Sequence, residues 1–99
     1  MTQVWTGGVP HKNPHAASRN FGGEAFIVIP QRHQYKILNG TGSRVWELID
    51  GSRDAEEIAR MIAEEYDVTI EAARKDVTSF LGDLSEHGML ADVPSAKGA

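Results

Sequence analysis

The side chains able to do chemistry in this 99-residue sequence are few and scattered. His11 and His15 stand four apart, the spacing of two ligands on one helix turn, but Pro14 and a Gly/Pro-rich surrounding remove the helix that spacing needs. His33 and His87 are isolated, and there is no cysteine. Thiolate metal sites, cysteine nucleophiles and disulfides are therefore excluded together, and no metal site or cofactor is expected. Glu56-Glu57 and Glu64-Glu65 are adjacent pairs on helical stretches, where solubility is the default role of acids. No phosphate-binding loop or nucleophile motif occurs, so no catalytic residue is assigned and the chain is not read as an enzyme. What remains is a chemistry of binding. Tyr35-Lys36-Ile37-Leu38 puts one cation among large apolar residues, next to a change in the character of the chain.

The elements around that stretch follow from pattern. Hydrophobic content of 40% and charged content of 24% are ordinary for one small globular domain. Residues 1–14, with Gly7, Gly8, Pro10 and Pro14, read as a flexible arm in which only Trp5 invites docking. Residues 16–21 form a weak strand, Gly22-Gly23 a hairpin turn, and Ala25-Phe26-Ile27-Val28-Ile29 a strong strand. The continuous apolar run marks that strand as central, with neighbours on both sides. Pro30 ends it, Gln31–His33 turn the chain, and Gln34–Leu38 return as an edge strand.

From Asn39, a cap or turn residue, the chain is helical. The first helix spans about 41–49 and closes at Asp50-Gly51. Asp54 with Glu57 forms a capping box for a second helix, whose stripe is Ile58, Met61, Ile62 and Tyr66. Thr69 caps a third, with Ile70, Ala73, Val77, Phe80, Leu81 and Leu84 on its core side and Gly88 beyond its end. Residues 92–99 read as a flexible tail. The fold class is α+β, in the order β-β-β-α-α-α.

Charge is unevenly divided. Residues 1–37 carry four bases against one acid, and residues 38–99 carry six bases against thirteen acids. A DNA-binding winged helix is the alternative reading of three short-linked helices. Its reading helix would carry Glu71, Asp76, Asp83 and Glu86 against Arg74 and Lys75, which opposes phosphate neutralisation. No nucleic-acid partner is expected. A subunit that only docks on an enzyme through its helices is a third reading. No apolar run approaches the roughly 20 residues of a membrane span. The opening residues lack a secretory pattern, and a cytoplasmic location is expected.

One ordered set of residues runs through the domain. It comprises Leu38-Asn39, Val45-Trp46-Glu47-Leu48-Ile49-Asp50-Gly51, Glu57-Ile58-Ala59, Glu65-Tyr66-Asp67-Val68, Asp76-Val77, Phe80-Leu81, Leu84 and Gly88-Met89-Leu90. Over residues 15–91 this set resembles the PqqD-like family, small peptide chaperones also called recognition elements for ribosomally made, modified peptides. The resemblance implies a winged helix-turn-helix with its three-stranded antiparallel sheet at the N-terminal side. It implies binding of a precursor's leader region and its presentation to a modifying enzyme, such as a radical SAM maturase, a protease or a cyclase. It further implies that the leader adds as a strand to the third strand, in a groove closed by the third helix. The residues expected to contact it are Gln34, Tyr35, Lys36, Ile37 and Leu38 on the strand, with Arg74, Lys75, Thr78 and Leu81 opposite. That set suits an acidic segment with apolar anchors. The chain is expected to be a monomer or homodimer.

Overall fold

A computed structural model describes Trp5 and residues 8–91 of the chain. Strands β1 (Ala17–Phe21), β2 (Glu24–Ile29) and β3 (Gln34–Asn39) form an antiparallel sheet in the order β1-β2-β3. Gly22 and Gly23 join the first two with φ of +46° and +91°, the left-handed pair that a two-residue hairpin matched to strand twist requires. Pro30 opens a single 3-10 turn, Pro30–Arg32, before β3. Three helices follow: α1 (Gly40–Leu48), α2 (Ala55–Tyr66) and α3 (Ile70–Glu86). The expected fold class and element order are those observed. Asn39, expected as a cap or turn residue opening the first helix, is the last residue of β3 and directly precedes α1.

The N-caps of α2 and α3 are those the sequence implies. Glu57 N–H donates to Asp54 Oδ1 at 2.8 Å and Asp54 N–H to Glu57 Oε1 at 3.1 Å, a complete capping box. Ala72 N–H donates to Thr69 Oγ1 at 3.1 Å. Beyond Gly88 the chain folds back, Met89 N–H reaching Leu84 O at 2.9 Å, and Met89 and Leu90 are buried.

The core lies between one sheet face and the helices. Ala25, Ile27 and Ile29 of β2 meet Trp46 and Ile49, Ile58 and Ile62 of α2, and Val77, Leu81 and Leu84 of α3. Tyr66, expected in the α2 stripe, is 42% exposed because the helix ends there, at left-handed Asp67. β2 is central in the sheet, with β1 and β3 on its two sides as expected, and only one of its faces is buried. Phe26 points outward and is 40% exposed, part of an open apolar face.

Residues 11–13 of the arm pair with the segment after α3. Lys12 bridges Leu90 in antiparallel pairing, Ala91 N–H donates to His11 O at 2.7 Å, and Asn13 N–H donates to Met89 O at 3.0 Å. The Lys12 ammonium sits 4.7 Å from the centre of the Trp46 ring. Burial there lowers its pKa, which Glu47 and Asp50 partly offset. Trp5 N–H donates to Thr78 O at 3.0 Å, so Trp5 docks on the domain. These pairings are tertiary, and a Gly/Pro-rich segment carries no periodicity that would announce them. The tail 92–99 lies outside the described residues.

Three carboxylates tie the surface together. Arg44 donates to both oxygens of Glu65 at 2.8 Å, Arg74 donates to Glu56 at 2.8 and 3.0 Å, and Ser52 N–H donates to Asp50 at 3.0 Å. These bonds hold all three acids below the usual carboxylate range. A depressed folded pKa contributes stability above the unfolded pKa and loses it as pH falls through the folded value. The urea midpoint should therefore drop as pH is lowered below about 4.5. A midpoint unchanged down to pH ~3 would remove these pairs from the account of stability.

Candidate peptide-binding groove

β3 pairs with β2 on one side only, so among the described residues its other edge keeps unpaired backbone groups. The register decides which of its side chains face where. Leu38, Lys36 and Gln34 stand opposite buried Ala25, Ile27 and Ile29, and therefore face the helices. Tyr35 and Ile37 stand opposite Val28 and Phe26 on the open face, where they are 66% and 58% exposed. Tyr35 lies 5.9 Å from Phe26, ring centre to ring centre, at 37°. Leu38 is buried.

Lys36 reaches from the strand to α3, its Nζ 3.2 Å from Asp83 Oδ2. Beside this pair a cleft of about 470 Å³ opens between α1 and α3. Thr41, Gly42 and Val45 line one wall, and Asp76, Ser79, Phe80 and Asp83 the other, with Val77 between. Phe80 approaches Gly42 closely: a Cβ there would stand 3.2 Å from the ring, which would have to shift slightly to admit it.

The residues expected as the far wall do not line this cleft. Arg74, Lys75 and Thr78 border a different depression with Ala55, Glu56 and Glu71, and Arg74 is engaged with Glu56 of α2. Thr78 Oγ1 donates to Arg74 O at 2.8 Å. Leu81 is fully buried and offers no surface. At about 100° per residue, Arg74 and Thr78 sit nearly half a turn around α3 from Asp76, Phe80 and Asp83. Helical spacing shows which residues share a face with one another. It does not show which flank of the Val77 core stripe turns toward β3. Reversing the charge at Arg74 (Arg74→Glu) should leave affinity for a β3-bound peptide within roughly a factor of two, as calorimetry would show. A tenfold loss would return Arg74 to the groove.

Asp76, Ser79, Phe80 and Asp83, with Thr41 and Gly42, line the cleft but are not among the contact residues expected from the sequence. Phe80 was legible only as core and the two aspartates only as solvated acids. Among the described residues, no three metal-ligating side chains gather, and no helix is long and apolar enough to cross a membrane.

The family model described as coenzyme PQQ synthesis protein D (PqqD) matches residues 24–90. The chain belongs to the PqqD family. That match spans the two longer strands and all three helices, and so includes both sides of the groove. No curated protein matches the sequence. Among solved structures, TbiB1 in complex with the TbiA(beta) leader peptide superposes with a TM-score of 0.78. It is 26% identical, over 84% of this chain and 96% of that one. A lasso peptide synthetase B1 complexed with its leader peptide gives 0.76 at 18% identity, over 85% and 99%, which shows a shared fold.

Proposed function

We propose that this PqqD-family chain is a leader-peptide recognition element. It binds the leader of a ribosomally made precursor as a fourth strand on the free edge of β3 and presents it to a separate enzyme. The open edge of β3 beside the α1/α3 cleft carries this reading, because backbone groups there can pair with an extended chain while its alternate side chains reach the cleft. The strand residues Gln34 to Leu38 remain the docking edge. Asp76, Ser79, Phe80 and Asp83 replace Arg74, Lys75, Thr78 and Leu81 as the far wall. TbiB1, similar over most of its length, was solved with a leader peptide, which supports the same use here.

The chemistry falls to the partner enzyme, a maturase, protease or cyclase. Phe21, Phe26, Tyr35 and Ile37 give it an exposed apolar sheet face on which to dock. An absence of cysteine fits a reducing cytoplasm. The acidic third helix gives the DNA-binding alternative no support.

The test is selection from a phage-displayed random-peptide library on the immobilised protein, followed by amide exchange of the complex. Selected peptides should bind at micromolar affinity or better. They should slow exchange at alternate amides of β3. Peptides that leave β3 unprotected, or tight salt-sensitive binding to duplex DNA instead, would overturn the reading.

A further inference from the structure

The cleft beside β3 has a charge opposite to the one its strand suggests. Its floor is apolar, formed by buried Val45 and Val77 with the half-buried ring of Phe80. Its rim carries Asp76 and Asp83. Lys36 is the cation at this edge, and it is already engaged with Asp83. Asp76 has no ion pair among the described residues. Two carboxylates therefore face one ammonium, whereas Arg74 and Lys75, which would have reversed the balance, line the separate depression with Ala55, Glu56 and Glu71.

Geometry connects this cleft to the peptide. Lys36 is an inward-facing residue of β3, and its side chain spans to Asp83 at the cleft rim. Inward side chains of a strand added beyond β3 fall toward the same helix. An acidic side chain there would meet Asp76 with like charge in a partly shielded recess. A long cationic one fits both parts of the wall. Its alkyl stem lies over apolar surface while its head stays at the rim, and a cation near the Phe80 ring gains further attraction.

We propose that the cleft selects a lysine or arginine side chain of the bound peptide, its stem over Phe80 and its head between Asp76 and Asp83. This rests on the leader-binding reading above, and it reverses the acidic ligand that the sequence suggested.

The same displayed library tests it, selected in parallel on the native protein and on an Asp76→Asn/Asp83→Asn double variant. Both changes are isosteric at exposed or half-buried sites, and thermal melting confirms that the variant is folded. On the native protein, β3-protecting peptides should share one position enriched in lysine or arginine. Replacing that residue with norleucine should weaken binding roughly five- to tenfold on the native protein and leave it unchanged on the variant. Enrichment of an apolar, aromatic or acidic residue there would overturn the proposal while leaving strand addition intact. So would lysine or arginine enrichment that persists on the variant. If no selected peptide protects β3, strand addition itself fails and this inference falls with it.

Discussion

Methylating every second amide nitrogen of a peptide bound on β3 will abolish measurable binding, and methylating the intervening ones will leave affinity nearly intact. Residues of an edge strand point their N–H and C=O groups alternately toward the neighbouring strand and away from it. β3 has one such neighbour in β2 and an open edge opposite. On the added strand, only alternate residues donate to β3. Each lost bond removes about 1 kcal/mol net, and a methyl group must also fit the roughly 4.8 Å gap between strands. Two or three methyl groups of the right parity should therefore lower affinity at least a hundredfold, on the order of 3 kcal/mol. Calorimetry on the two methylated series reads this directly. Equal losses in both series would mean that side chains alone hold the peptide, and the strand-addition account would be abandoned.

The second large effect is on stability. Leu81→Ala should cost about 2–5 kcal/mol, the range for truncating a buried leucine. Total stability for a domain of this kind is about 5–15 kcal/mol, so the loss would be a large share of it. Leu81 has no exposed surface and packs with Val77 and Leu84 against the sheet and α2. Had it lined the groove, truncation would have weakened peptide binding and left the fold almost untouched. Urea unfolding of the variant, with peptide titration at a temperature where it stays folded, separates the two roles. A midpoint within error of the native protein, with affinity reduced, would return Leu81 to the groove.

The fate of Leu81 shows how far a helical repeat can be read. Its spacing from Arg74 and Thr78 puts all three on neighbouring rows of α3, and the sequence admits it both to the core stripe and to a wall. Burial decided for the core. Phe80 went the other way: it shares the apolar stripe, yet its ring lies half open at the cleft against Gly42. A stripe has two flanks, and only the docked positions of α2 and β3 say which flank each one covers. α2 took the flank of Arg74 through Glu56, and β3 took the flank of Asp83 through Lys36.

The sequence alone determined the element order, the hairpin at Gly22-Gly23, the capping box of α2 and the edge position of β3. The hairpin and the capping box depend on residues within a few positions of one another, where backbone geometry and local hydrogen bonding suffice, and the edge position of β3 follows from the short connections of the meander. It also sufficed for the family, whose pattern spreads over the whole domain. Tertiary structure alone decided which side of α3 faces the strand, and with it the acidic sign of the cleft. It also decided that the arm residues His11, Lys12 and Asn13 pair with the segment after α3. Those outcomes depend on contacts between residues far apart in the chain, whose relative rotation no local periodicity encodes.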